Sequence, residues 1–139
     1  MIILSVDLGK ARTGTAVCDP GEVIASPLEV IHEHNTQRLA ERVAVLCRER
    51  RAERIVMGLP KNMDGTEGES ALRAREVGEL LSETTGLPVD FCDERGTTIT
   101  AHGYLNATDT RGKKRKAVVD AVAAVIILED YLRSRKAQK

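Results

Sequence analysis

The sequence predicts an α/β fold in which a five-stranded mixed sheet is flanked by helices. Three observations lead there. Short apolar, β-branched runs of strand length stand at Ile2–Val6, Arg54–Gly58 and Val89–Cys92. Apolar residues at helical spacing lie between them: Leu39, Val43 and Leu46, then Ala74, Val77 and Leu81. The resulting order, β-β-β-α-β-α-β-α-α, contains β-α-β crossovers that should be right-handed, with their strands parallel to each other and to the first strand.

The elements follow in turn. Ile2–Val6 is apolar without Gly or Pro and reads as a strand buried on both faces. A second strand spans Thr15–Cys18, and Asp19-Pro20-Gly21 is a turn. Val23–Ile31 alternates as a third strand, weakened by Pro27, so the first three strands form an antiparallel meander. Thr36–Arg51 is a helix, and Arg54–Gly58 is a strand ending in Gly58-Leu59-Pro60. After a polar loop over Lys61–Gly68, Thr66 and Glu69 have capping-box spacing for a helix that runs to about Thr85. Gly86-Leu87-Pro88 stops it. The strand Val89–Cys92 ends in Asp93-Glu94-Arg95, Thr97–Leu105 reads as a short helix, and Asn106–Lys116 as a polar loop. Ala117 to about Arg133 is a helix apolar on nearly every side, expected to pack deeply, with Ser134–Lys139 fraying. No boundary, repeat or low-complexity segment interrupts residues 1–139, which are expected to form one domain.

Composition narrows the partners. Lys plus Arg total 21 and Asp plus Glu total 21, so a polyanion would have to be held by a local patch rather than by net charge. One Phe, two Tyr and no Trp argue against a base-stacking platform for single strands. Cys18, Cys47 and Cys92 lack metal-ligand spacing and are expected to be buried free thiols. With neither a signal-peptide pattern at the N-terminus nor an apolar run of membrane-spanning length, the expected location is the cytoplasm.

Carboxylates at the ends of elements carry the chemistry. Asp7 ends the first strand and is followed by Gly9, Arg12 and Gly14. A carboxylate on a buried strand needs a cation, a backbone cap or the rim of a site. Asp93-Glu94 ends the fifth strand at the same sheet edge, where sites gather in open α/β folds. Asp120 opens the last helix within Val118–Leu128, which has almost no polar face. If that helix covers the edge, these acids converge into a hard-oxygen site suited to Mg²⁺ or Mn²⁺. Two such ions could activate a water and stabilise the leaving oxygen of a phosphodiester.

Each acid also has a purely structural reading. Asp93 or Glu94 could pair with Arg95 or Arg12, and Asp120 could complement the helix dipole for roughly 0.3–1 kcal/mol. The run Arg111–Lys116, basic except at Gly112, reads alone as a solvated loop. Beside the acidic edge it becomes a candidate phosphate grip, with Lys113, Lys114, Arg115 and Lys116 joined by Arg12 and Arg95.

Four stretches in this order resemble one family over essentially the whole chain. They are Asp7-Leu-Gly-Lys-Ala-Arg-Thr-Gly14, Gly58-Leu-Pro60 with Met63-Asp-Gly65, Asp93-Glu-Arg-Gly-Thr-Thr98, and Asp120–Leu128 with Tyr131-Leu132. The chain is similar to the bacterial pre-16S rRNA nucleases, also described as Holliday-junction-resolvase-like, with a ribonuclease H-like fold. The resemblance implies a cytoplasmic, metal-dependent endonuclease that trims the 5′ end of precursor 16S rRNA. It carries the acidic, metal-holding positions onto Asp7, Glu94 (or Asp93) and Asp120. Gly96 departs from the larger apolar residue usual in the family. True junction resolvases resemble the chain at Asp7 and the last helix but carry a Glu where this chain has Gly58-Leu59-Pro60; here the acid comes one strand later.

The partner implied is RNA, on or off the small ribosomal subunit, with branched DNA as the alternative, no membrane, and a monomer or weak homodimer. Asp7-x-Gly-x-x-x-x-Gly14 is also similar to the first phosphate loop of actin and the sugar kinases, but 139 residues do not supply the second half those proteins need. A catalytically silent RNA- or phosphate-binding module is therefore the competing class.

Overall fold

The computed structural model describes residues 1–62, 64–93 and 112–137. Five strands, β1 (Ile3–Asp7), β2 (Arg12–Cys18), β3 (Ala25–His32), β4 (Arg54–Leu59) and β5 (Val89–Asp93), form one sheet in the order β3-β2-β1-β4-β5. β3, β2 and β1 pair antiparallel, and β1, β4 and β5 pair parallel, which is the mixed sheet expected. Among the described residues the helices are α1 (Thr36–Arg50), α2 (Glu69–Thr85) and α3 (Gly112–Ala137). The short helix expected over Thr97–Leu105 lies outside the described residues.

Alternation along the strands splits the core into two layers. Leu4, Val6, Ile55 and Met57 face α1 and α2, packing with Leu39, Val43, Leu46, Ala74, Val77 and Leu81. Ile3, Ala16, Cys18 and Val56 face α3, packing with Ala124, Ile127, Leu128 and Leu132. β3 tolerates Pro27 because it is an edge strand and the ladder is irregular beside it, between Gly14 and Ala16. There Thr15 Oγ1 substitutes for the ladder, donating to Glu29 O at 2.7 Å and accepting from Glu29 N at 3.0 Å.

Several expectations are corrected. β2 begins at Arg12, three residues before the apolar signal, because its Arg12-Thr13-Gly14 start pairs with β1 and β3 despite being polar. Gly68, not Thr66, caps α2. The Thr66 hydroxyl is spent in the preceding loop, accepting from Asn62 Nδ2 at 2.9 Å and donating to Asp64 Oδ1 at 2.7 Å.

α3 begins at Gly112 rather than Ala117, so Lys113–Lys116 are helical and not a loop. Lys and Arg are good helix formers, and their charge run masked the start. Asp120 is consequently about two turns inside the helix, beyond the range over which the dipole acts. Nor is α3 buried all round: Ala123, Ala124, Ile127, Leu128 and Leu132 are buried, while Val122, Val125 and Ile126 are only partly covered. Its end does not fray at Ser134. Arg135 donates through Nε and Nη2 to the Glu22 carboxylate at 2.8 and 3.3 Å, and Glu22 also accepts from the Met1 amine at 3.1 Å.

None of the three cysteines forms a disulfide among the described residues. Cys18 and Cys47 are buried, and burial pushes the Cys47 thiol up to about 11; Cys92 is only half-buried. Among the described residues, no helix is long and apolar enough to cross a membrane.

Candidate active site

The parallel strands β1, β4 and β5 end together at one edge of the sheet. Val6 is level with Met57, and Leu59 with Asp93. Asp7 therefore stands at the carboxyl edge as expected, half-buried at the end of its strand.

Its face is fixed by its neighbours. Ser5 is fully buried and its hydroxyl donates to the Ala124 carbonyl of α3 at 2.8 Å. Asp7, two residues on, belongs to the same α3-facing row. On β2 its partner is Gly14, and on β4 the register carries it to the level of Gly58. The strand positions level with Asp7 on both sides thus lack side chains.

The direction of α3 follows from two contacts. Arg135, near its C-terminal end, reaches Glu22 and so the Met1 end of β1, while Ala124 sits at Ser5. The helix runs antiparallel to β1. Four helical residues back from Ala124 is about 6 Å, and two strand residues on from Ser5 is about 6.6 Å. Position 120 of α3 is therefore level with Asp7, on the stripe that includes Ala124 and Ile127. Positions 113–116 lie further along the helix axis, past the sheet edge on the same side.

Asp93 differs. On β5, Asp90 and Cys92 lie on the α3 side, the first accepting from Tyr131 Oη and the second packed in the α3 layer. Val89 and Phe91 pack in the opposite layer, and alternation assigns position 93 to that side. Asp93 is exposed. The sequence left Asp93 and Glu94 open as the acid of this strand. Glu94, Arg95 and Arg111 lie outside the described residues. Arg12 opens β2 and is half-buried.

Among the described residues, no group of three His, Cys, Asp or Glu side chains could hold a metal ion. The described part contributes Asp7 and the helix position of Asp120. The donor chemistry fits a hard divalent cation: carboxylate oxygens are the ligands Mg²⁺ and Mn²⁺ take, and the strand positions level with Asp7 are glycines. β4 offers no carboxylate at this level, since Gly58 and Leu59 end the strand.

Two further side chains stand next to the Asp7 turn without having been singled out in the sequence. Gly9 is compelled there, because a Cβ would fall 2.0 Å from Arg12 O. Arg73 of α2 donates from Nη1 to Gly9 O at 3.0 Å and holds that turn against the helix. Lys10 projects from the same turn and is exposed. Gly9 was the available sequence signal; its long-range partner Arg73 had none.

Residues 1–134 match the family described as "RuvX: Holliday junction resolvase". A Clostridium botulinum protein named "Putative pre-16S rRNA nuclease" is 43% identical over 132 residues, covering 95% of this chain and 96% of that protein. One of the same name from Limosilactobacillus fermentum is 42% identical over 135 residues, covering 95% and 93%. Among solved structures, T. thermophilus RuvC in complex with Holliday junction substrate superposes with a TM-score of 0.62 at 16% identity, covering 99% of this chain and 96% of that one. The Fowlpox virus resolvase with Holliday junction DNA gives 0.58 at 11% identity, covering 97% and 99%. At these identities the likeness is one of fold: the sheet is that of the ribonuclease H-like resolvases.

Proposed function

We propose a function from one premise: this chain belongs to the family described as "RuvX: Holliday junction resolvase". The reading is an endonuclease that hydrolyses a phosphodiester of precursor 16S rRNA at its 5′ end and depends on a divalent cation. The observation that carries it is the Ser5–Ala124 hydrogen bond, which sets position 120 level with Asp7, where the flanking strand positions are Gly14 and Gly58. Glycines at those positions leave more room for a phosphodiester than apolar side chains would.

Asp7, Asp120 and Glu94 would hold Mg²⁺ or Mn²⁺. Such an ion, when bound, lowers the pKa of a coordinated water and offsets charge on the leaving oxygen. The protein's own contribution is positional. β1 fixes the Asp7 backbone in the sheet, and α3 fixes position 120 through the Ser5 bond. The carboxylates alone would repel a phosphate, so the strand also needs cations: Arg12, Arg95 and the run Lys113–Lys116 are the groups proposed to supply them.

Precursor 16S rRNA is preferred over a junction because relatives about 40% identical carry its name. The chain also lacks a carboxylate at the end of β4. The test incubates purified protein with precursor 16S rRNA and with a four-way DNA junction, each with and without Mg²⁺ or Mn²⁺, and maps the ends. Metal-dependent cleavage at the 5′ side of the rRNA, lost in Asp7→Asn, is expected. Cleavage of the junction alone would replace the substrate, and no cleavage of either would leave a binding module.

A further inference from the structure

We infer that the cleft between the Gly9-Lys10 turn and the start of α2 grips a backbone phosphate of the substrate strand, on the opposite side of Asp7 from α3. The inference rests on the nuclease reading for the identity of the strand. The cleft has a volume of about 350 Å³ and is lined by Leu8, Gly9, Lys10, Pro60, Glu69, Ser70, Arg73 and Ala74. It opens at the same carboxyl edge, beginning one residue after Asp7.

Two cations face it. Among the described residues, no carboxylate pairs with Lys10 or Arg73, whereas Arg42, Arg54, Arg75 and Arg135 are each committed to an acid. Arg73 spends one N–H on Gly9 O and keeps the rest of its fork, which suits a phosphate. That bond also fixes the distance between turn and helix, so the cleft is preformed. α2 brings no side-chain cap, since Gly68 is its N-cap, and its first amides add to the positive end of the cleft. Ser70 can donate a hydroxyl.

Glu69 opposes this, because its carboxylate shares the cleft with the two cations. That opposition gives the proposal its sharpest consequence: removing the Glu69 charge should strengthen binding, while removing the Lys10 charge should weaken it. A strand crossing the edge would then have one phosphate beside Asp7 and a neighbouring one in the cleft, fixing the strand without reading its sequence.

The experiment measures binding of the full chain to a fluorescent RNA strand by anisotropy at several salt concentrations, in EDTA so that nothing is cut. Lys10→Ala should weaken binding severalfold and reduce the slope of log affinity against log salt by about 0.7, the value for one single-strand phosphate contact. Lys10→Glu should go further, and Glu69→Gln should tighten binding. Thermal unfolding controls for folding. Affinity and slope unchanged in both Lys10→Ala and Glu69→Gln would overturn the proposal. Inorganic phosphate that removes the Lys10-dependent part at low millimolar concentration would overturn the strand assignment in favour of a small-anion site. Because the readout needs no cleavage, its failure is distinct from failure of the nuclease reading: cleavage with a Lys10-independent slope removes only the cleft, and a Lys10-dependent slope without cleavage removes only the nuclease.

Discussion

The Ser5 hydroxyl donates to the Ala124 carbonyl at 2.8 Å across the interface of β1 and α3, a buried polar tie in a layer that is mostly apolar among the described residues. It acts as a register pin, since sliding or rotating α3 by a fraction of a turn would leave a fully buried hydroxyl unpaired. Ser5→Ala should cost about 1 kcal/mol, the net worth of an ordinary hydrogen bond. Ser5→Val adds bulk where the helix lies against the strand and should cost about 1–3 kcal/mol. Cleavage should fall far more in Ser5→Val than in Ser5→Ala, because displacing the helix separates positions 7 and 120. Equal activity in two folded variants would remove the pin from the site's geometry. Circular dichroism melting and cleavage rates on the same samples decide it.

Glu22 joins both ends of the chain. It accepts from the Met1 amine and Arg135 and holds a left-handed backbone with φ 58. Hydrogen bonding to Arg135 leads the effects that lower its carboxyl from 4.5 to about 2. A depressed carboxyl stabilises the fold fully above its unfolded value, and that contribution is lost as pH falls from about 4.5 toward 2. Glu22→Gln should therefore lower Tm at pH 7, and the gap to wild type should close by about pH 2. The slope will not vanish in the variant, because Glu29 and Asp90 are lowered as well, Glu29 mainly by its hydrogen bond to Arg42 and Asp90 by Tyr131 and Arg54 against the effect of burial. A gap that stays constant with pH would show that the Glu22 charge contributes nothing.

Thr13 supplies a prediction of opposite sign. It is fully buried, and among the described residues its Oγ1 has no hydrogen-bond partner. An unpaired buried hydroxyl costs about 1–3 kcal/mol, and valine has nearly the same shape and a strand preference. Thr13→Val should raise Tm. A fall would mean that the hydroxyl has a partner, and a bound water is then the first to seek.

The sequence and the structure agree where local pattern decides and part where distant contacts do. Apolar runs located β1, β4 and β5, and the helical crossovers between them made them parallel, so the carboxyl edge at which Asp7 stands was legible. Arg12 and Thr13 are polar, and their strand character comes only from pairing with His32 and Ile31. Lys113–Lys116 gave a charge signal that hid a helical one. The levelling of positions 7 and 120 depends on Ser5 meeting Ala124, a contact 119 residues apart that no window can contain.

The helical start of α3 changes what its basic run should do when substituted. Replacing Lys113, Lys114, Arg115 and Lys116 together with Ala keeps the best helix former at each position, so the fold should survive. RNA affinity should fall, and the salt slope should flatten by up to about 2.8 if all four contact single-strand phosphates. Anisotropy titrations at several salt concentrations measure this. An unchanged slope would mean that the run is a solvated helix face, leaving the edge to Lys10, Arg73 and Arg12.

The last prediction concerns the ion itself. A divalent cation that binds only the folded chain raises stability by mass action, by about 2.7 kcal/mol at one hundred times its dissociation constant. Millimolar Mg²⁺ or Mn²⁺ should therefore raise Tm, and chelation should return it. Asp7→Asn and Asp120→Asn should each reduce that response without nucleic acid present, which separates ion binding from catalysis. If the carboxylates crowd together as proposed, each variant should also match or exceed the wild-type Tm in EDTA, since a like charge has been removed. Lys10→Ala should leave the metal response intact, because the cleft lies on the other side of the Asp7 turn. If Mg²⁺ and Mn²⁺ leave the melting curve unmoved, Asp7 and Asp120 do not hold an ion in the free protein, and ion binding would then require the substrate phosphate as a ligand. Repeating the melt with a non-cleavable RNA strand tests that branch directly.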